Sequence, residues 1–159
     1  MAGWSFLRHR ESPYNTDLVR TWTHTRGIAY SPTAATVAKF VVTGGDIMVH
    51  LMYGTILTTL EATASNVSVT TNPTTGTTGT VATTAEGNGL LAGNMILVEG
   101  DGTAAIVSAT VKWSVLGTWV PWIVNIGDIE VIHAAAQTGS LRWDLFWEPL
   151  SPNASVAAA

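Results

Sequence analysis

The clearest strand signal in the sequence is LRWDLFWE, residues 141–148. Its residues fall on two faces: Leu141, Trp143, Leu145 and Trp147 on one, and Arg142, Asp144, Phe146 and Glu148 on the other. Alternation with a period of two predicts a β-strand with one buried, strongly apolar face. Thr138-Gly139 supplies a turn before this strand, and Pro149 ends it.

The same alternation extends back to residue 36. The segments interpreted as strands are Thr36–Thr43, Ile47–Tyr53, Thr55–Glu61, Asn66–Thr71, Asn94–Glu99, Ala104–Val111, Lys112–Trp119, Val120–Ile126 and Ile129–His133. Thr74–Thr84 fits either a loop or the tip of a hairpin, and Gly54 is interpreted as a tight connection or bulge. No convincing amphipathic helix is present. The pattern predicts an all-β fold: an antiparallel sandwich, a jelly roll or a small barrel.

Charge divides the chain near Pro32. Residues 1–32 contain four arginines and two acidic residues, net +2, whereas residues 33–159 contain three basic and nine acidic residues, net −6. We predict an extended N-terminal docking arm over residues 1–32 and one β-sandwich or barrel body over residues 33–159. Within the arm, Asn15 suits the cap of a helix over Thr16–Trp22, and the alternation in Thr21–Thr25 favours a strand equally, so both conformations stay open.

Composition narrows the function classes. Charged residues make up 11% of the chain, well below the usual quarter, and a surface with so little charge favours association. The isoelectric point near 5.4 argues against a body that binds nucleic acid. The absence of cysteine excludes disulfides and thiol nucleophiles. No signal peptide or membrane-spanning segment is recognisable, so we predict a protein made in the cytoplasm, with no membrane role.

Residues suited to catalysis are few. The chain lacks the phosphate-binding, metalloprotease, calcium-loop and nucleophile-elbow motifs. Asp46 and Asp128 each follow a glycine and are interpreted as turn residues, with an acid–base pair as the weaker alternative. His50 and His133 lack a third ligand at metal spacing, which favours structural roles. We therefore predict no enzymatic activity, no cofactor and no metal.

Tryptophan is abundant, with seven in the chain. We predict that four in the body serve self-association or packing: Trp119, Trp122, Trp143 and Trp147. The alternative is a platform on which carbohydrate rings stack, and its best candidate set is Trp119 and Trp122 with Asn125 and Asp128.

The arm combines arginine with aromatic residues, the types that dominate protein interfaces. Its predicted partner-binding residues are Trp4, Phe6, Arg8, Arg10, Tyr14, Arg20, Trp22 and Arg26. Contact with nucleic acid by charge and stacking is the weaker alternative, because two acidic residues dilute the four arginines.

Three segments of the body resemble small virion-associated proteins of tailed bacteriophages and prophages. They are FVVTGGDIMVH (Phe40–His50), TTNPT (Thr70–Thr74) and TGSLRWDLFWEPLSPNASV (Thr138–Val156). In that group a Thr-Gly turn leads into a strand that begins with a basic residue and Trp, followed by Pro-Leu and a final Ala-Ser/Thr-Val. The resemblance spans most of residues 36–156, and residues 75–120 match only in character.

The resemblance implies a structural virion component, foremost a capsid decoration (cement) protein. A carbohydrate-binding or connector component of the phage tail is the alternative. The implied location is the virion, and the implied partners are the major capsid protein or other virion proteins, without a direct role for nucleic acid. We expect a homo-oligomer, with the trimer favoured by the resemblance rather than by the residues. Residues 1–35 are not matched to the group.

Overall fold

A computed structural model of the protein describes residues 22–62, 65–86, 89–98, 106–109 and 120–159. Within these residues the chain forms β-strands and no helix, and hence no helix that is long and apolar enough to cross a membrane. The strands are β1 (Thr23–Arg26), β2 (Thr36–Thr43), β3 (Ile47–Thr58), β4 (Asn66–Pro73), β5 (Gly79–Glu86), β6 (Met95–Val98), β7 (Ile106–Ala109), β8 (Trp122–Val124), β9 (Gly127–His133), β10 (Ser140–Pro149) and β11 (Ser155–Ala158).

The strands form two antiparallel sheets packed face to face. The front sheet has the order β1-β10-β3-β6-β7, and β8 pairs with the first part of β3, where β6 does not reach. The back sheet has the order β11-β2-β9-β4-β5. The predicted all-β sandwich is therefore confirmed.

The pairing order is that of a jelly roll. Strand β1 pairs with β10, β2 with β9, β3 with β6, and β4 with β5, so the chain forms a long antiparallel ribbon. The ribbon is rolled up because β10 also pairs with β3, and β9 also pairs with β4. Strands β7 and β8 are inserted between β6 and β9, and β11 extends the back sheet. Of the three predicted architectures, a sandwich with jelly-roll order is the one observed.

The core lies between the sheets and follows the predicted alternation. Leu141, Trp143, Leu145 and Trp147 of β10 are all buried. They meet apolar residues of the back sheet such as Phe40, Val131 and Ile129 in one continuous cluster. Trp143 and Trp147 therefore pack inside the subunit.

Strand β3 corrects one prediction. The sequence predicts two strands separated at Gly54, Ile47–Tyr53 and Thr55–Glu61, but β3 runs unbroken through Gly54. The reason is tertiary: a side chain at Gly54 would place its Cβ 3.2 Å from the indole ring of Trp143. Gly54 thus leaves room for the largest core residue on the neighbouring strand, and it makes no turn.

The remaining differences lie in short segments. Thr74–Thr84 is divided, since β5 begins at Gly79 after a loop, which fits the predicted hairpin tip. Strand β8 is shorter than the predicted Val120–Ile126. Strand β11 was not predicted, because its sequence SVAA carries little strand signal of its own. The predicted strand Lys112–Trp119 lies outside the described residues.

Candidate functional site

The second part of the predicted arm belongs to the sandwich. Strand β1 pairs with β10 in register from Thr23, opposite Trp147, to Arg26, opposite Asp144. The chain continues along β10, with Tyr30 and Leu141 exchanging two backbone hydrogen bonds. Residues 22–32 therefore belong to the sandwich and not to the predicted arm. Of the two alternatives left open for this part of the chain, helix or strand, residues Thr23–Arg26 form the strand. Residues 1–21 lie outside the described residues, so a docking arm there stays a prediction.

Strand β1 points alternate side chains away from the core. Trp22 is 52% exposed and stacks on His50 of β3, with ring centroids 4.5 Å apart and an angle of 12° between the planes. His24 stacks in the same way on Phe146 of β10, at 4.6 Å and 18°. Arg26 is exposed. We call this surface, formed by Trp22, His24, Arg26, His50, Tyr53, Arg142 and Phe146, the outer aromatic face.

Two of the eight predicted partner-binding residues, Trp22 and Arg26, can be placed, and both lie exposed on the outer aromatic face. The other six lie outside the described residues: Trp4, Phe6, Arg8, Arg10, Tyr14 and Arg20. The composition of the arm singled out Trp22 and Arg26, and their binding to a partner stays a prediction. That composition gave no indication of His24, His50 and Phe146, because their contacts join segments far apart in the sequence.

Two carboxylates lie buried at the base of the outer aromatic face. Asp144 is 1% exposed and accepts hydrogen bonds from His24 Nε2 at 2.9 Å and Arg142 Nε at 3.0 Å. Glu148 is 4% exposed, with its Oε1 3.5 Å from His50 Nε2. The side chains of Asp144 and Glu148 are therefore covered by their partners. The guanidinium of Arg26 is exposed at this face.

An apolar row continues from the outer aromatic face across the sheet. Met48 of β3 lies between Glu148 of β10 and Ile123 of β8 in the strand register. Ile123 is 60% exposed and Trp22 is 52% exposed, so this side of the front sheet exposes a large apolar side chain on β8 as well as beside β1. Exposed apolar and aromatic residues that cluster in this way are typical of protein interaction surfaces.

Inside the sandwich, Tyr30 anchors the segment that follows β1. Its hydroxyl accepts a hydrogen bond from Trp143 Nε1 at 2.9 Å and donates one to His133 Nε2 at 2.7 Å. The ammonium group of Lys39 lies 3.1 Å from the centroid of the Tyr30 ring, in a cation–π arrangement. The network therefore joins β2, β9 and β10 to the chain between β1 and β2.

Burial shifts the pKa values in this network. It raises the pKa of the Tyr30 hydroxyl, which keeps the group neutral and able to donate. It lowers the pKa of His133 to about 4, helped by the nearby charge of Lys39, so the imidazole is neutral and able to accept. It also lowers the pKa of Lys39 to about 8. The structural role predicted for His133 fits this geometry. The sequence feature that could have indicated this network is Lys39, a charged residue inside the apolar run VAKFVV.

We expect Tyr30→Phe to lower the free energy of unfolding by about 1–3 kcal/mol, because both buried partners of the hydroxyl lose their hydrogen bond. Urea denaturation of the variant and of the wild type measures the difference. Tyr53→Phe, which removes a hydroxyl from the outer aromatic face, is the matched control and should change stability much less. Equal effects of the two substitutions would contradict the anchoring role of Tyr30.

The other predicted site residues are not brought into one site. Asp46 and Asn125 line an open depression together with Thr75 and Ile126. Asp128 lies on β9, paired with β2 and β4. Trp122 is half-buried against the core, and Trp119 lies outside the described residues. Among the residues that the structure describes, no group of three or more His, Asp or Glu side chains is arranged to hold a metal ion.

The run Thr138–Val156, on which the phage resemblance rests most heavily, forms a connected part of the sandwich. Gly139 takes a positive φ of 94° in the turn before β10, where a side chain would meet the carbonyl of Thr59. Strand β10 then lies between β1 and β3 in the front sheet, and β11 ends the run at the edge of the back sheet. Comparison of the chain with models of protein families, with curated proteins and with solved structures found no match.

Proposed function

We propose that this protein is a non-enzymatic structural component of a tailed-phage virion, specifically a capsid decoration protein that binds the assembled head. The resemblance of Thr138–Val156 to virion-associated proteins supports the virion assignment. The observation that carries the docking role is the outer aromatic face. Trp22 and Arg26 lie exposed there, where the predicted arm joins the sandwich. Aromatic residues and arginine contribute most of the binding energy in protein interfaces.

The mechanism is stabilisation by mass action. A protein that binds the assembled shell and not its free subunits stabilises the shell by an amount that grows with its concentration relative to the dissociation constant. Several linked copies bound around one symmetry axis add avidity. The protein is made in the host cytoplasm and acts on the virion, with the major capsid protein as its partner.

The Tyr30 network fits a docking role because it fixes the segment after β1 to the core of the sandwich. Strand β1 is held by β10, and Tyr30 is held by His133 and Trp143 from both sheets. Pro32 adds a backbone bond, its carbonyl accepting from the amide of Gln137. A partner that binds residues before β1 is therefore connected to both sheets through β1 and Tyr30.

We expect removal of residues 1–21 to weaken binding to assembled heads, because only Trp22 and Arg26 of the predicted partner-binding residues then remain, and to leave the sandwich folded, because β1 and Tyr30 remain. Removal of residues 1–31 should also destabilise the protein, since it deletes β1 and its anchor. Cosedimentation with purified heads measures binding, and urea denaturation measures stability. If the shorter deletion binds heads with unchanged affinity, the arm is not the docking element.

The copy number on purified virions tests the location. A decoration protein is present at a copy number comparable to that of the major capsid protein, whereas a tail or connector component is present in few copies. Quantitative mass spectrometry of intact virions separates these outcomes. Complete absence from virions would contradict the proposed function.

A further inference from the structure

One end of the sandwich brings three loops together around an open depression. The side chains that line it are Asp46 from the β2–β3 turn, Thr75 from the β4–β5 loop, and Asn125 and Ile126 from the connection between β8 and β9. Its volume is about 340 Å³, which lies within the range of sites for small molecules. The depression shares no residue with the outer aromatic face, so it is a second candidate binding site.

Strand pairing fixes the positions of these loops. Strand β3 pairs with β8 from its first residue, so Asp46 and Asn125 lie opposite each other just beyond the last pair. The amide of Thr74 donates a hydrogen bond to the carbonyl of Ile126 at 2.8 Å, which joins the β4–β5 loop to the same point. A site that is held in place before a ligand arrives loses little conformational freedom on binding.

The polar side chains around the depression are available to a ligand. Within the part of the chain that the structure describes, the side chains of Asp46, Thr75 and Asn125 form no hydrogen bond and no ion pair with the protein. The neighbouring Asn72 is different, because its amide donates to Glu130 and accepts from a threonine hydroxyl. A carboxylate, a hydroxyl and an amide therefore converge on one depression without internal partners.

This set of groups matches a sugar better than an ion. A cation needs acceptors and an anion needs donors, whereas each sugar hydroxyl both donates and accepts. The Asp46 carboxylate accepts, and the Thr75 hydroxyl and the Asn125 amide can do both. Ile126 is 42% exposed and offers an apolar surface to the C–H face of a ring. Asp46 is the only charged residue in the three loops, so no basic group there would neutralise an anionic ligand.

We propose that this depression binds an uncharged hexose ring. The carboxylate of Asp46 and the amide of Asn125 bond to its hydroxyls, and Ile126 packs against its carbon skeleton. The site is distinct from the platform of Trp119 and Trp122 considered from the sequence, because it uses no tryptophan. One ring in an open depression makes few contacts, so the expected Kd is about millimolar. The proposal does not depend on a role in the virion, because the purified protein alone tests it.

Titration of the full chain with glucose, galactose and mannose, followed by NMR, measures the binding. With at least one of these sugars, the backbone amide signals of residues 45–47, 74–76 and 125–127 should shift together. The uronate of the same sugar is the matched ligand, since it differs by one carboxylate. It should bind about fivefold more weakly, because its charge lies near the Asp46 carboxylate.

Two variants test the residues. Asp46→Asn and Asn125→Ala should each weaken sugar binding about tenfold, and Asp46→Asn should also remove the preference for the uncharged sugar over its uronate. Asp128→Asn removes the same charge from β9, outside the depression, and is the control that should bind like the wild type. The same spectra show whether each variant is folded.

Three outcomes would overturn the proposal. The first is that none of the three sugars shifts the loop signals at concentrations well above the millimolar range. The second is that the wild type binds the uronate as tightly as the uncharged sugar. The third is that Asp128→Asn weakens binding as much as Asp46→Asn does, which would show that overall charge and not this depression determines the affinity.

Discussion

Trp143→Ala is expected to lower the free energy of unfolding by about 3–5 kcal/mol, the range for truncation of a buried tryptophan. Trp143 is fully buried at the middle of β10, and its indole lies against Gly54 on the neighbouring strand. Truncation leaves a large cavity between the sheets. It also takes away the hydrogen bond that the indole Nε1 donates to the Tyr30 hydroxyl. Urea denaturation at neutral pH measures the effect.

Two further substitutions separate the contributions at this position. Trp143→Phe keeps most of the buried ring and loses the Nε1 donor, so it should cost clearly less than alanine. Arg142→Ala, on the opposite face of β10, was expected from the sequence to cost little. The structure raises that expectation to about 1–3 kcal/mol, because buried Asp144 loses its guanidinium partner. A loss below about 1 kcal/mol for Trp143→Ala would contradict the packing described for β10.

The inner face of β10 was predictable because alternation is a local property of the sequence. The burial of Asp144 and Glu148 on the opposite face was not. It depends on strands β1 and β3, whose residues His24 and His50 lie about a hundred positions away and supply the partners. Alternation of apolar and charged residues predicts that the apolar face of a strand is buried. Whether the charged face is also buried depends on the neighbouring strands.

The N-terminal segment shows a second limit of prediction from the sequence: composition does not give the direction of a side chain. Its arginine and aromatic content predicts partner binding, which stays a prediction, and Trp22 and Arg26 are exposed. Composition could not show that Tyr30, from the same segment, points into the core and is held there by His133 and Trp143. Whether an aromatic residue serves docking or packing depends on the direction of its side chain, which the pairing of β1 with β10 fixes.

Acid is expected to weaken the protein through His133. Its pKa is 6.5 in an unfolded chain and about 4 in the folded protein, where burial and Lys39 oppose protonation. Between these two values the unfolded chain binds a proton that the folded chain does not, so stability falls as the pH falls. Between pH 7 and about pH 4 this difference lowers the free energy of unfolding by about 3 kcal/mol. Protonation also removes the acceptor that the Tyr30 hydroxyl uses.

His133→Gln isolates this contribution, because the amide oxygen of glutamine accepts a hydrogen bond and does not titrate. Urea denaturation of both proteins at several pH values between 7 and 4 gives the two stability curves. Carboxylates and His24 and His50 are common to both, so their effects cancel in the difference. We expect the wild type to lose about 3 kcal/mol more than the variant over this range. Parallel curves would show that His133 is protonated as easily in the folded protein as in the unfolded chain, and that the Tyr30 network does not depend on a neutral imidazole.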